Sequence, residues 1–370
     1  MGRRTAAWLG WLLAAALLVF FENNTGTRAV WVISLAIPLF SMACAWQAVR
    51  RLSVSLRAPE QAGAGDRIRC EAAVPASLWL AGCTAKCGIS VYNGLTGETL
   101  EGEIVFTRKG TGTAEAESSR CGRIRIRAEW AETRDWFGIC RFRREAGAET
   151  YVTVTPELIP VTLRTETEAG IRPGAQGMSR RSAADPEPGS LRPYVPGDDI
   201  RRIHWKLSEK TDQTLVMESA PEAREITALA LETAYPEKAD PEAAHDAARG
   251  LLSLSRAMTE AGMPHAVITA RNGEIWITET ADEAGARQAA EEVLSAEAEP
   301  GGVSIGTLLA RTETRFRRVI LFSPHPYAAA AAAAERQPVT LVLPDYVPCP
   351  GPEAGIRTAV FTSGDAEIEI

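Results

Sequence analysis

Histidine is scarce in this chain, with four in 370 residues, and none precedes His204. Cys83 and Cys87 therefore have no imidazole in the N-terminal half to complete a metal set. The seven cysteines make an odd count and include no Cys-x-x-Cys pair, which excludes a simple disulfide framework and a zinc ribbon. Reduced, mostly buried thiols of a cytosolic protein are the reading that remains. A glycine-rich phosphate loop and a His-Glu-x-x-His helix are also missing, so no cofactor is expected. Basic charge is in deficit, at a net −7 and pI near 5.4. That argues against a nucleic-acid partner held by bulk charge.

Charge is absent altogether from Ala6–Phe21 and from Ala29–Val49. A helix needs about 20 apolar residues to cross a bilayer. The second run meets this, and the first does so with Thr5 and its flanks at the interface. The polar stretch Glu22–Arg28 separates them, so residues 1–51 read as a transmembrane helical hairpin with the lipid bilayer as first partner. Arg3 and Arg4 precede the pair, and Arg50, Arg51 and Arg57 follow it. The positive-inside rule then puts both termini and the soluble domains on the cytoplasmic side of the cell (plasma) membrane, with Arg28 opposing. No small-x-small pattern follows Phe21, which disfavours a cleaved signal peptide.

Residues 52–155 alternate with a period of two in Asp66–Val74, Lys86–Asn93, Glu101–Gly110 and Gly122–Trp130. They predict an all-β, sandwich-like domain. In Arg123–Arg127 the isoleucines take one face and the arginines the solvated other. Residues 156–220 form a connection, extended and polar over Val161–Ser190, that ends in a dense polar segment. From 221 to 370 the period changes. Strands at Glu225–Glu232, His265–Ala270, Glu274–Glu279, Arg317–Ser323, Pro338–Pro344 and Arg357–Thr362 alternate with helices. The helices are predicted at Pro241–Gly262, Ala284–Leu294, Val303–Leu309 and Ala328–Arg336. That order predicts an α/β doubly wound domain with a mostly parallel sheet. A von Willebrand factor A-like domain is one such fold, and it holds a divalent metal through Asp-x-Ser-x-Ser after the first strand. Here Glu232, Ala234 and Pro236 stand at those places. Alanine and proline offer no side-chain oxygen to a hard cation, so no metal site is expected.

The dense segment reads LRPYVPGDDIRRIHWKLSEKT, Leu191–Thr211. Val195–Asp198 suits a type II turn. Asp199 suits the cap of a short helix, Ile200–Leu207, with Trp205 packed beside its apolar face. Asp198 can pair with Arg192, Arg201 or Arg202. A catalytic reading would take Asp198 or Asp199 as base and His204 as acid, but no nucleophile or cofactor motif accompanies them.

This segment resembles the signature of the domain of unknown function 58 family, R-x-Y-x-x-G-D-x-x-R-x-I-(D/H)-W-K. Arg192, Tyr194, Gly197, Asp198, Arg201, Ile203, His204, Trp205 and Lys206 match it. Asp135-Trp-Phe-Gly138 is similar to the Asp-x-Phe-Gly step of the same family, while Glu209 and Ser190 depart from its usual residues. The resemblance implies a membrane-anchored accessory protein with a von Willebrand factor A-like region. It further implies a role in assembly or maturation of envelope complexes beside a MoxR-type AAA+ ATPase and a membrane transglutaminase-like protein. A non-enzymatic scaffold is the leading expectation, with the signature (Asp199 included) structural or partner-binding and joining the two soluble domains. An envelope enzyme using Asp198, Asp199 and His204 is the first alternative, and a metal-dependent adhesion module the second.

Overall fold

The structure is a computed structural model that describes residues 3–22, 24–75, 83–107, 109–164, 191–195, 203, 205–211, 213–217, 224–235, 240–312, 314–325, 333–334, 337–347, 356–361 and 366–369. The chain divides into two compact units. One holds Met1–Glu157, Glu237–Arg249 and Glu291–Pro300; the other holds Leu158–Pro236, Gly250–Ala290 and Gly301–Ile370.

The first unit opens with helices α1 (Arg3–Phe21) and α2 (Thr25–Arg51). Asn24 caps α2: its Oδ1 accepts from Thr27 N at 2.9 Å, and its own N–H donates to Thr27 Oγ1 at 3.3 Å. The polar connection is therefore shorter than Glu22–Arg28, because this capping box draws Thr25–Arg28 into the helix. Pro38 lies inside α2 and has no N–H to give Ser34 four residues back. The Trp8 indole N–H reaches that carbonyl at 3.4 Å, and Trp11 Nε1 donates to Ser34 Oγ at 3.1 Å. Helix-to-helix donors thus compensate the gap that proline opens.

Ala29–Val49 is not uniform along its length. Ser41, Cys44, Ala45, Ala48 and Val49 are buried, a spacing that makes one helix face. Small side chains there let β-strands approach. Among the described residues nine strands follow: β1 (Ser55–Arg57), β2 (Gln61–Gly63), β3 (Arg67–Ala73), β4 (Thr84–Asn93), β5 (Thr99–Val105), β6 (Thr111–Glu117), β7 (Gly122–Arg134), β8 (Arg141–Glu145) and β9 (Glu149–Thr155). They form sheets β1-β3-β6 and β2-β9-β7-β4-β5, with β8 paired to β7. Both sheets feed one core, from Ile68 and Cys70 on one side to Cys87, Ile104, Ile126 and Val152 on the other. Ile124 and Ile126 point inward while Arg123, Arg125 and Arg127 are exposed. Strand β6 was not legible in the sequence, because Thr-Gly-Thr-Ala-Glu-Ala-Glu carries no large apolar residue to mark its inner face.

The chain continues with β10 (Val161–Arg164), β11 (Leu191–Pro193), α3 (Trp205–Thr211), β12 (Leu215–Met217), β13 (Arg224–Leu231), β14 (Ala234–Tyr235) and α4 (Pro241–Glu260). Then come β15 (His265–Arg271), β16 (Glu274–Thr280), α5 (Glu283–Ser295), β17 (Glu299–Pro300), α6 (Ile305–Arg311), β18 (Phe316–Phe322), β19 (Val339–Pro344), β20 (Ile356–Phe361) and β21 (Ala366–Glu369). The expected connection Val161–Ser190 begins as a true strand, since β10 pairs in parallel with β21. Most of the predicted helix Ala328–Arg336 lies outside the described residues. The second unit's main sheet has the order β16-β15-β13-β18-β19-β20. All neighbours pair in parallel except β16, which folds back on β15. The turn of that hairpin is Asn272-Gly273, at φ 53° and 75°, the left-handed pair a tight β-hairpin requires. Near-continuous burial of β15 and β19 fits parallel strands covered on both faces.

Candidate functional site

Three places carry the polar residues singled out by sequence. The first is the signature. Strand β11 pairs antiparallel with β12, and Tyr194 N donates to Thr214 O at 2.8 Å. Ile203 bridges to Val216, which is 3% exposed, and Ser208 Oγ accepts from Leu215 N at 2.8 Å. The segment is thus a clasp closed on itself. Helix α3 is described from Trp205, and Ile200 and His204 of the expected helix Ile200–Leu207 lie outside the described residues. Trp205 is 64% exposed instead of packed, next to exposed Lys206, and Tyr194 is half-buried. Arg192 contributes its backbone to β11. Gly197, Asp198, Asp199, Arg201 and His204, with the expected turn and cap, lie outside the described residues.

The second place is the crevice at the carboxyl ends of β13 and β18, where strand order reverses; open α/β sheets bind ligands at such points. Glu232 is 2% exposed there. Its carboxylate accepts from Ala234 N at 2.9 Å and from Ile305 N, the first residue of α6, at 3.1 Å. It ties a strand end to a helix start. Ser323 Oγ donates to His325 O at 2.7 Å, and the His325 ring lies 5.5 Å from that of Tyr235. One motif escaped the sequence reading: Gly302-Val-Ser304-Ile-Gly306 has the spacing of a hydrolase nucleophile elbow. In the fold Ser304 is the N-cap of α6 at φ −61°, ψ 145°, without the strained left-handed geometry of an elbow. Its hydroxyl accepts from Thr307 N at 3.3 Å. The geometry makes it a cap.

Buried histidines elsewhere are committed to structure. Cys121 N donates to His245 Nδ1 at 3.0 Å, while Cys121 Sγ faces His245 O at 3.8 Å. Burial pushes the Cys121 thiol up to about 12, so the pair is no thiolate–imidazole dyad. His265 sits between Ser255 Oγ at 2.8 Å and Met263 O at 3.1 Å. Burial holds His245, His265 and His325 below their usual value of 6.5. An unfolded histidine takes its proton near pH 6.5 and these folded ones resist it. Their stabilisation is whole above that pH and is lost as pH falls through the lowered folded values. The thermal midpoint in detergent is expected to drop between pH 7.5 and 5.5, and His265→Gln to shrink that drop. A midpoint independent of pH over that interval would refute the assignment.

The third place is the turn after β7, Asp135-Trp-Phe-Gly138. Asp135 is 3% exposed and accepts from Cys140 N at 2.6 Å and Phe137 N at 3.1 Å. Gly138, at φ +67°, lies where a Cβ would collide with the Arg4 guanidinium. Asp135 thus closes the turn through its carboxylate, and Gly138 leaves room for the Arg4 side chain of α1. On the other side Trp136 N donates to Ser41 Oγ at 2.8 Å and Thr133 Oγ1 to Ala45 O at 2.8 Å. Trp136 and Phe137 remain 44% and 45% exposed, with Phe40 edge-on to Trp136 at 6.1 Å.

No family model matches the chain, and no curated protein does. Among solved structures, the superoxide reductase (neelaredoxin) of Ignicoccus hospitalis is similar at 15% identity, over 28% of this chain and 80% of its own, with a TM-score of 0.19. A single-residue variant of that enzyme gives 15% identity over 28% and 84% of the two chains, at a TM-score of 0.17. Scores this low carry no inference about fold or chemistry, and the residues themselves must carry the reading.

Proposed function

We propose that the chain is a non-enzymatic, membrane-anchored scaffold of the domain of unknown function 58 type, whose cytoplasmic units bind a MoxR-type AAA+ ATPase. The observation that carries the anchor is the outer surface of α1 and α2. Leu13, Leu17, Phe20, Phe21, Val32 and Ile33 are each more than half exposed, which in water would be an apolar patch far beyond ordinary size. The order of the main sheet, with its reversed edge strand, supports the A-like reading. The commitment of Glu232 to two backbone donors supports a scaffold over a metal-dependent module.

The water boundary follows from cost. If it lay at Arg50, Arg4 and Asp135 would be sunk in hydrocarbon, at roughly 2.5–3.5 kcal/mol each near the centre. Placing it at Arg4 and Ser41 avoids this. Arg4–Phe21 then spans roughly 26 Å and Thr25–Ser41 roughly 24 Å at 1.5 Å per residue, close to the ~30 Å hydrocarbon core. Trp136, Phe137 and Phe40 fall in the aromatic belt. The rest of α2 stands outside the bilayer as the face that receives β7 and β8.

For the partner, exposed Trp205 and Lys206 are the anchor. Trp is among the residue types most enriched in interface hot spots. Detergent-solubilised chain is expected to retain the ATPase on affinity capture, and Trp205→Ala with Lys206→Ala to lose it at unchanged expression. Capture that fails for the unaltered chain, or is indifferent to these substitutions, would remove this partner surface.

A further inference from the structure

We propose that strand β16 is a dimerisation edge, pairing antiparallel with β16 of a second copy of this chain. Strand β16 (Glu274–Thr280) ends the six-stranded sheet of the second unit. The two-residue loop Asn272-Gly273 makes Arg271 and Glu274 the first hydrogen-bonded pair of the hairpin. In alternation from there, Trp276, Thr278 and Thr280 give their backbone groups to β15. Ile275 and Ile277 turn their N–H and C=O outward. Among the described residues no backbone group meets them there.

Folded proteins blunt such an edge with lysine, proline, a bulge or a very short strand. Glu-Ile-Trp-Ile-Thr-Glu-Thr has no lysine or proline, and it pairs with β15 along its whole length without a register shift. The edges of the first unit's larger sheet are treated differently. There β2 has three residues, and β5 sets Gly102 between Glu101 and Glu103. Trp276, by contrast, is 51% exposed near the middle of its strand. Ile275 and Ile277 are only partly buried, against the core that holds Ile305, Leu308 and Leu309.

The strand itself selects a second copy as occupant, because Ile-Trp-Ile reads the same in both directions about Trp276. A twofold axis through that residue sets Ile275 of each copy opposite Ile277 of the other. These are the outward-facing residues, so each pair closes both of its N–H···O bonds. Trp276 then lies beside its counterpart in the closer, non-hydrogen-bonded position, where aromatic pairs stabilise a sheet. Glu274 faces Thr278 and Glu279 faces Gly273, so no like charges oppose each other. Centred on Ile277 instead, the pairing would set Glu279 against Ile275 and separate the two indoles. The two six-stranded sheets become one continuous sheet. A single strand pair is a small interface, below the ~1,200 Å² of a standard one, so the dimer is reversible and its fraction rises with concentration.

Two measurements on the full chain in detergent test this. Sedimentation velocity over a concentration series is expected to show a monomer–dimer equilibrium. Trp276→Lys sets two cations face to face and should abolish the dimer, with the thermal midpoint retained because the position is half-exposed. Cysteine pairing reads the register. Glu274 of one copy faces Thr278 of the other at about 4.5 Å between Cα atoms, within reach of a disulfide. Copper–phenanthroline oxidation of Glu274→Cys mixed with Thr278→Cys should give several-fold more covalent dimer than either variant alone or the unaltered chain. If Trp276→Lys lowers the midpoint, the cysteine pair alone decides. A chain monomeric at every concentration overturns the second copy as occupant and leaves the edge to a strand of another protein. A dimer unmoved by Trp276→Lys, or a mixture that cross-links no better than its components, overturns this edge as the interface.

Discussion

Replacing Glu232 by leucine is expected to destabilise the second unit by about 3 kcal/mol. The substitution leaves the N–H groups of Ala234 and Ile305 without the carboxylate that now receives them at 2.9 and 3.1 Å. Orphaned buried donors cost about 1–3 kcal/mol each. Relief from burying a charge offsets part of that sum. Glu232→Gln should fall between, because its amide keeps one acceptor and sets a donor against the other N–H. At about 2–4 °C per kcal/mol for a unit of this size, the leucine variant should melt about 10 °C lower. An unchanged midpoint would mean that this carboxylate does not hold β13 to α6, and would reopen the crevice as a ligand site.

A second large effect is expected at Gly88. A Cβ added there would run into the indole of Trp130, which faces it across the β4–β7 pair. The β4–β7 register shifts just after this glycine, and Trp130 is held from its other side by the Arg143 guanidinium at 4.0 Å. The ring therefore cannot retreat without breaking that stack. Overpacking of this kind costs about 1–3 kcal/mol, occasionally more; Gly88→Val belongs at the upper end. Trp130→Ala in the same chain should return part of the loss, a coupling that a double-mutant cycle measures. Additive losses at the two positions would show that they do not share this space.

Much of this architecture was legible in the residues, for identifiable reasons. Burial in α4 at Ala243, Ala247, Leu251, Leu254 and Met258 reproduces the spacing read from sequence, since one apolar stripe with few rivals fixes a helix face. Alternation did the same for β3 and β7. Legibility ended where apolar size was missing, as in β6. The small residues Ser41, Ala45 and Ala48 misled differently. In sequence they continue a membrane span, and only the fold presents them as a seat for β-strands. The Asp135–Gly138 turn was visible as a motif but not as a device, because its meaning lies in Arg4 and Ser41, distant in the chain.

The account depends most on α1 and α2 being membrane helices rather than a buried or shielded pair. Alkaline carbonate extraction of native membranes tests this most directly, because it strips peripheral proteins and leaves spanning ones. The full chain should remain wholly in the membrane pellet. Release into the supernatant, with a known spanning protein retained beside it, would contradict the anchor and every proposal built on it.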